Sequence, residues 1–285
     1  MIAAIEESQP VRRSPIAAVI LAATTLSIAI QSSARAQELE PRPSPLDDQA
    51  AEIFAGVDYE RGDYGTGAKV ETVSTLIGVA TRTGQVRVAA AIPYLRTTAP
   101  VDVVISQGGL FGTQFLADDS NQTVRTRREG LGDATLQAAY ELPFAGFAAS
   151  LGGGVKLPTA SRAKGLGTGK VDYAVNASLA RPLRGGVTPF AAVGYSILGK
   201  PEGFTVRNTL SATAGTRVAL SAGTSAALSY SYEQSASQAL ADRQGIGLGL
   251  GVALGRKLQL RLQGEAGLSR GAPDMKLGLQ IGAGF

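Results

Sequence analysis

Three charged residues of the sequence, Asp133, Lys156 and Asp172, have the types and spacing to act together. Each lies on the polar face of one of three successive predicted strands, so their side chains are expected to point the same way. One ammonium group between two carboxylates is the composition of a salt-bridge network that holds a wall together, which is the interpretation we favour. The alternative hypothesis is that the same cluster narrows a pore and selects the ions that pass.

The residue types that are missing exclude several kinds of chemistry. The 285 residues include no histidine and no cysteine, which removes the Ser–His mechanism of hydrolysis and most zinc sites. The segment GLGTGKV departs from the phosphate-binding loop because Val171 stands where that loop needs Ser or Thr. The net charge of +4 is small, and no basic helix with stacking aromatic residues is evident. We therefore predict no enzymatic activity, no cofactor and no nucleic-acid partner.

The first 50 residues read as an export segment followed by a short leader. A basic start precedes the apolar run 16–30, and Ala34 and Ala36 form a small-x-small cleavage site. The run is shorter than the ~20 residues that a membrane-spanning helix needs. We predict that residues 1–36 are a signal peptide cleaved after Ala36. Residues 37–50 are Pro-rich and acidic, and we predict a periplasmic leader, with folding into a barrel mouth as the alternative.

From residue 51 onward, apolar and polar residues alternate, as in the segment LQLRLQ at 258–263. A period of two predicts strands with one apolar and one polar face. We predict twelve strands, at 51–60, 70–82, 85–95, 130–142, 147–157, 170–181, 187–198, 205–218, 224–234, 243–254, 258–268 and 274–285.

The lengths of the connections between these strands alternate. The short ones are 83–84, 143–146, 182–186, 219–223 and 255–257, and the mostly longer ones are 61–69, 96–129, 158–169, 199–204, 235–242 and 269–273. Short periplasmic turns and longer outer loops on an even number of strands are typical of bacterial outer-membrane barrels. We predict an all-β fold, a transmembrane antiparallel β-barrel of about 12 strands over residues 51–285, in the outer membrane of a Gram-negative bacterium.

Aromatic residues near the strand ends are expected to form two belts at the membrane interfaces. The outer belt is predicted to contain Tyr59, Tyr94, Tyr173, Tyr195, Tyr230 and Tyr232, and the periplasmic belt Phe54, Tyr140, Phe144, Phe147, Phe190 and Phe285. A C-terminal strand that ends in an aromatic residue resembles the segment that the barrel assembly machinery reads in such proteins. Phe285 is therefore the predicted C-terminal barrel signal, and a simple rim anchor is the alternative.

The polar face of the strands supplies the candidate lumen-lining residues. Beyond the three-residue cluster, they are Glu52, Asp58, Arg87, Glu141, Arg207, Arg217, Glu233, Arg261, Glu265 and Lys276. Many other inward positions are Gly, Ala, Ser or Thr. Because about twelve strands make a barrel wider than side chains fill, we expect open space inside unless a loop or the leader fills it.

The long connection 96–129 combines an apolar segment, 101–116, with a basic one, 124–129. We favour a β-hairpin that extends the wall, and an inward-folded constriction or a port for hydrophobic ligands are the alternatives. Three arginines of the basic segment either contact lipopolysaccharide phosphates or lie on a solvated loop; they are Arg125, Arg127 and Arg128.

Four segments carry a family resemblance: GLGDATLQAAYEL at 130–142, GGGVKLPTA at 152–160, GLGTGKVDY at 165–173 and PFAAVGYSILG at 189–199. In this order they resemble the outer-membrane transporter family named after the meta-pathway of phenol degradation. Ala160 and Ala192 replace the Gly and Asn that are common in the family. The family-motif loop comprises Leu157, Pro158, Thr159, Gly165, Gly167, Thr168 and Gly169. Physically, Pro158 is expected to end a strand, and the three glycines to permit a tight turn with positive φ.

The resemblance implies a barrel of about 12 strands that passes small, often hydrophobic or aromatic, compounds. Our leading hypothesis is accordingly an outer-membrane channel that moves such molecules passively. A structural or adhesive barrel without transport, or a porin for polar solutes, are the alternatives. The expected partners are outer-membrane lipid and lipopolysaccharide, the barrel assembly machinery and a small hydrophobic solute.

Overall fold

The computed structural model of the protein describes residues 51–65, 67–100, 103–109, 112–117, 124–144 and 146–285. The predicted signal peptide and leader lie outside these ranges. Within the ranges, no helix has the length and apolar character needed to cross a membrane.

The described chain forms fifteen strands and one turn of 3₁₀ helix, Arg162–Lys164. The first six strands are β1 (Ala51–Gly62), β2 (Val70–Thr83), β3 (Val86–Pro100), β4 (Val103–Gly109), β5 (Gly112–Ala117) and β6 (Arg125–Leu131). The next five are β7 (Ala134–Phe144), β8 (Phe147–Leu157), β9 (Asp172–Ala180), β10 (Val187–Ile197) and β11 (Thr209–Ser221). The last four are β12 (Thr224–Glu233), β13 (Arg243–Leu254), β14 (Leu258–Gly267) and β15 (Met275–Gly284).

Twelve of these strands close into an antiparallel barrel in the order β1, β2, β3, β7 and then β8 to β15. The closing pair is β1 with β15, in a register that places Glu52 opposite Gly284. This closure confirms the predicted fold, and closure leaves no edge strand whose backbone groups would be unpaired in lipid.

The wall between β2 and β8 differs from the prediction at its outer end. β3 continues to Pro100, and its outer half pairs with β6 rather than with β7. Gly132 and Asp133 separate β6 from β7, so Asp133 lies at a break in the wall and not within a strand. The backbone N–H of Gly132 donates to the carbonyl of Pro93 at 2.8 Å, which attaches the break to β3.

Below the charged residues of the outer rim, the outward face of the barrel strands is mostly apolar or small. Its exposed side chains include Ile77, Val175, Val193, Leu228, Ile246 and Ile281. The exposed fraction of Val175 is 59%, far more than an aliphatic side chain of a water-soluble core would show. A closed barrel with an apolar outer band is built for lipid, which confirms the predicted position in the outer membrane.

Two members of the predicted aromatic belts point the other way. Phe54 and Phe190 are buried on the inner face, so the prediction of a lipid-facing position was wrong for both. The ring of Phe54 covers Gly78 on the neighbouring strand, and a Cβ atom at Gly215 would lie 2.7 Å from Phe190. The reason is the phase of the alternation, since Phe54 shares its face with Glu52.

The long connection after β3 contains both a wall extension and a separate hairpin. β4 and β5 pair only with each other among the described strands, while β6 lengthens the wall. The root of the hairpin, Val103, is buried against Tyr64, Val70 and Ala99, with Leu240 packed beside them. Because Leu240 comes from the loop between β12 and β13, this apolar mouth cluster joins loops from separate sectors of the outer rim.

Candidate functional site: the barrel interior

The three residues singled out in the sequence meet at the outer end of the barrel. Lys156 Nζ lies 2.7 Å from Asp172 Oδ2 and 3.1 Å from Asp133 Oδ2. The register of β8 positions them, since Lys156 is opposite Thr135 on one side and Asp172 on the other. We name these three residues the Lys156 cluster. The side chains of Lys156 and Asp133 are 2% and 0% exposed, so the charges are removed from water and depend on one another.

Backbone groups of the outer loops complete this cluster. Asp133 Oδ1 accepts a hydrogen bond of 2.9 Å from the N–H of Ala160. Asp172 Oδ1 accepts another of 2.9 Å from the N–H of Gly199. The lysine also donates to Thr168 Oγ1 at 3.3 Å. The cluster therefore ties the family-motif loop and a second loop to β8, β9 and the break before β7, as a structural network would.

The family-motif loop folds tightly over the cluster. Pro158 directly follows the end of β8, and Leu157, the last residue of that strand, is exposed. Thr159 Oγ1 accepts a hydrogen bond of 2.8 Å from the N–H of Ala134 and donates one of 2.8 Å to the carbonyl of Gly132. The loop is thereby fastened to the break between β6 and β7.

The three glycines of this loop serve two different geometric needs. Gly165 and Gly169 have φ angles of 62° and 67°, as expected for a tight turn. Gly167 is not among the positive-φ residues, so the prediction for it was wrong. Glycine is required at 167 because neighbouring side chains approach its backbone closely. A Cβ atom there would lie 2.9 Å from Asp133 Oδ2 and 2.7 Å from the Cβ of Ala160.

A second charge cluster crosses the interior near the outer mouth. Glu60 Oε1 lies 3.3 Å from Arg243 Nη2, and Glu60 Oε2 lies 3.7 Å from Lys276 Nζ. Arg243 Nη1 also lies 3.6 Å from Glu233 Oε2. β1 and β13 are separated in the wall by β14 and β15, so the contact between Glu60 and Arg243 runs through the barrel interior. We name these four residues the Glu60 cluster.

Tyr64 connects the Glu60 cluster to the apolar mouth cluster. Its hydroxyl donates to Glu60 Oε1 at 2.5 Å, and Arg243 lies 5.9 Å from the centre of its ring. Burial, followed by the neighbouring Glu60 carboxylate, raises the pKa of Tyr64. Its φ angle of 53° is unusual for a residue with a side chain, and such strain persists only where the surroundings hold the residue firmly.

Further polar contacts span the interior below these clusters. Gln263 Nε2 donates to Asp58 Oδ1 at 3.2 Å across β15. Arg82 donates to Glu141 Oε2 at 2.5 Å across β3, and Arg87 lies 3.7 Å from the other oxygen of that carboxylate. Asp58, Arg87 and Glu141 thus lie on the inner face.

The remaining predicted lumen residues are also in inward phase, with one exception. A Cβ atom at Gly245 would lie 2.5 Å from Glu265 Oε1, and Glu52 reaches over Gly282 in the same way. Arg261 donates to Gln259 at 2.6 Å, and Arg217 pairs in register with the inward residue Ala227.

The exception is Arg207, which precedes β11 and lies in an outer loop. Its guanidinium donates to the carbonyl of Ser235 at 2.8 Å and to Asp242 Oδ1 at 3.0 Å. The loop strands are held by these contacts and by a bridge between Val206 and Ser237. The predicted strand began too early, because this paired loop segment continues the alternation of the wall.

Sequence reasoning missed Glu60, Tyr64, Arg82 and Arg243. Glu60 was detectable, since it shares the even-numbered inward phase of Asp58 on β1. Arg243 was detectable by the same phase on β13, but the partnership between the two depends on the closed barrel. Tyr64 lies in a loop, where alternation carries no information.

The interior is asymmetric in its access to solvent. Most inward polar side chains from β2 to β9 are buried, among them Thr72, Thr97, Gln137, Ser150 and Ser178. On β11 to β13, the charged inward residues are Arg217, Glu233 and Arg243. Many of the other inward residues are half-buried and carry small or no side chains; they include Thr213, Gly215, Ser225, Ala227, Ser229, Gly249 and Gly251. We name this group the small-residue wall. The inner face is therefore more accessible along the small-residue wall than from β2 to β9.

Closed, apolar outside, and polar and partly accessible inside, the molecule is a transmembrane β-barrel of the outer-membrane type. The chain belongs to the family described as "Putative MetA-pathway of phenol degradation", whose model matches residues 55–285. This match confirms the resemblance that the four motifs indicate.

Solved structures show the same fold at low sequence identity. The COG4313 outer membrane channel from Pseudomonas putida F1 is similar with a TM-score of 0.64 and 16% identity, over 87% of this chain and 98% of that one. The NanC porin has a TM-score of 0.51 and 8% identity, over 82% and 98%. The translocator domain of the autotransporter NalP from Neisseria meningitidis has a TM-score of 0.50 and 13% identity, over 90% and 93%. No curated protein sequence matches the chain.

Proposed function

We propose that this protein passively conducts small molecules across the outer membrane, and that its preferred solutes are hydrophobic or aromatic. The observation that carries the proposal is the small-residue wall. Its half-buried residues leave accessible space inside a closed barrel, which a purely structural barrel would not need.

The chemistry of that wall favours a nonpolar solute. Ser225, Ala227, Ser229 and Gly249 bear no charge, so an aromatic ring moving beside them displaces water without stripping an ion of its partners. The charged groups of the Lys156 and Glu60 clusters are already paired with one another. Membership in a family described by phenol degradation, and likeness to an outer membrane channel, support this choice of solute.

The paired clusters have a second proposed role, which is to narrow the outer half of the conduit. The Glu60 cluster spans three strand intervals of the wall, and the Lys156 cluster is buried at another part of the rim. A solute would then pass beside them along the small-residue wall. Nothing in this mechanism requires catalysis, and the absence of histidine from the sequence supports a conduit over an enzyme.

The test uses two adjacent alanines of β12 that face opposite ways. Ala227 is opposite Gly249 on the inner face, and Ala226 is opposite the exposed Leu250 on the lipid face. We expect Ala227→Trp to fill the conduit and return uptake of radiolabelled phenol by cells to the level of cells without the protein. Ala226→Trp, the matched control, should leave uptake unchanged, because the new ring lies in lipid.

Conductance in a planar bilayer separates this proposal from the alternatives. Equal phenol uptake by Ala227→Trp and Ala226→Trp would rule out a path along the small-residue wall. Large steady conductance with sugar permeation and no phenol uptake would indicate a polar-solute porin. Folded protein with neither activity would indicate a structural or adhesive barrel.

We also infer how the protein reaches this membrane. Residues 1–36 would be removed after Ala36 on export, leaving residues 37–50 as a leader ahead of the barrel. The assembly machinery would read the last strand, β15, with Phe285 beyond its end. Support for this signal comes from the pairing of Phe285 with Ala51 through two backbone hydrogen bonds of 3.0 and 3.3 Å at the closing seam.

A further inference from the structure

We infer that the outward face of the wall extension binds the phosphate groups of lipopolysaccharide through Arg61, Arg96, Arg125 and Arg127. We name these four residues the arginine patch. The patch lies on the lipid side of the barrel, so it is independent of the conduit proposed above.

The patch lies just beyond the outer aromatic belt. On β3 the inward residues Leu95 and Thr97 are buried, so Tyr94 and Arg96 point outward, one step apart. Aromatic belts mark the level of the membrane interface. Arg96 is therefore placed at the height of lipid headgroups, and β6 carries Arg127 next to it on the same face.

Among the described residues, the four guanidinium groups of this patch share two carboxylates. Glu71 lies 3.3 Å from Arg61 and 3.4 Å from Arg125. The second carboxylate, Glu129, lies 3.1 Å from Arg96 and 3.3 Å from Arg127. These two arginines hydrogen-bond to Glu129 and lower the pKa of that carboxyl, so it stays ionised and the patch keeps two positive charges in excess.

The arginines also keep hydrogen-bonding capacity for another anion. The contact that joins each arginine to its glutamate involves one nitrogen atom at 3.1–3.4 Å, whereas a guanidinium group has five N–H donors. The side chains of Arg96 and Arg127 are 53% and 60% exposed. A phosphate can therefore approach and accept paired hydrogen bonds, the geometry that guanidinium groups favour.

The arrangement is specific to this sector of the described rim. Arg162 and Arg207 of the other outer loops each face one carboxylate, Glu202 and Asp242 respectively. Arg128, which the sequence grouped with the patch, points inward and donates to the carbonyl of Val103 at 2.7 Å. It serves the fold of the loop and is therefore left out of the proposed site.

Phosphorylated lipid is the ligand that this location selects. The patch extends over β1, β2, β3 and β6, which is about 14 Å at the usual strand spacing of ~4.8 Å. That width lets the patch contact more than one phosphate of a single headgroup. The outer leaflet of this membrane type supplies such headgroups in lipopolysaccharide, and clustered arginines at an interface attract anionic lipid.

The experiment measures binding of lipid A to the folded full-length barrel in detergent by native mass spectrometry. The double variant R96Q/R127Q should bind lipid A at least tenfold more weakly, since two charge-assisted contacts are lost. The matched control R162Q/R256Q loses the same charge from an outer loop and a periplasmic turn and should bind as the wild type does. Phenol uptake should not change in either variant.

Two further arms test the chemistry of the site. Glu129→Gln should strengthen binding, because it removes the competing carboxylate while keeping both arginines. A purely structural ion-pair network predicts a different result: Glu129→Gln and Arg96→Gln would lower the stability of the protein by similar amounts, and neither would strengthen the binding of lipid A. Dephosphorylated lipid A should bind as weakly to the wild type as lipid A binds to the double variant.

Several results would overturn the inference. Equal binding of lipid A by the double variant and the control would show that charge at the patch is irrelevant. Equal binding of the dephosphorylated lipid would assign the affinity to the apolar band. Full displacement of lipid A by inorganic phosphate at millimolar concentration would indicate a site for free phosphate instead.

Discussion

At the scale of single residues, the molecule concentrates its charge inside a wall that faces lipid. The Lys156 cluster contains two carboxylates and one ammonium, and its members are almost wholly buried. Burial makes each member depend on the others, because an unpaired charge in the interior is costly. Measurements of stability and of ion selectivity distinguish a purely structural role of the cluster from a role in shaping the conduit.

We expect Lys156→Met to destabilise the folded barrel by about 3–5 kcal/mol, because two buried carboxylates would lose their shared partner. Urea unfolding in micelles measures this change, and Lys200→Met, at an exposed loop residue, serves as control. The pore-narrowing hypothesis further predicts altered ion selectivity in Asp133→Ala and Asp172→Ala. Unchanged permeability and selectivity in both would leave the cluster a structural role alone.

Tyr64 supplies a prediction about alkaline pH. Its pKa is raised by burial and by Glu60, so the folded value exceeds the unfolded value of about 10. Its contribution to stability is then complete below about pH 10 and declines as the pH rises toward the folded value. In an absorbance titration of the folded barrel, one of the eight tyrosines should stay protonated at the pH at which exposed tyrosines become phenolates. In Tyr64→Phe that missing fraction should disappear; if it persists, another tyrosine is responsible.

At the scale of elements, the outer rim is the part of the molecule where strands do more than build the wall. β3 and β6 raise the wall beyond the membrane level, while β4 and β5 form their own hairpin. The hairpin joins the barrel through Val103, which packs on Tyr64 and Ala99 at the mouth. We therefore expect the hairpin to restrict entry without contributing to barrel closure.

Replacing residues 104–117 by two glycines tests this expectation. The variant should still fold, as judged by the heat-dependent mobility shift of barrels in gels, because β4 and β5 pair with no barrel strand in the described chain. Uptake of phenol and conductance should both rise, since the chain that continues from Val103 at the mouth is shortened. A folded variant with unchanged uptake and conductance would show that the hairpin does not control the mouth.

At the scale of the whole molecule, closure converts a one-dimensional pattern into an interior with two unlike sides. From β2 to β9 the inner face is filled by buried polar groups, whereas β11 to β13 present small residues beside accessible space. The same closure puts Phe54 and Phe190 on the inner face near the periplasmic end. The outer surface also has two unlike parts, because the arginine patch gives one sector of the rim a positive charge.

Local pattern was enough to predict most of the barrel strands. The strands expected at 147–157 and 243–254 are observed as Phe147–Leu157 and Arg243–Leu254. Period-two alternation and short turns are properties of neighbouring residues, so they are legible in the sequence. The contact of Lys156 with Asp133 and Asp172 was also predictable, because strands that are consecutive along the chain pair with each other in the barrel wall.

The tertiary structure decided which residues meet across the barrel and where space remains. Glu60 and Arg243 are 183 residues apart, and their contact exists only because β15 closes onto β1. Arg207 was misplaced because a paired loop imitates a strand, and Arg128 because its direction depends on the register between β3 and β6. The sequence alone determined most barrel strands, the phase of their two faces and the class of barrel, since these follow from local alternation. Closure determined the conduit, the mouth and the patch, since each depends on distances between parts of the chain that the local pattern does not relate.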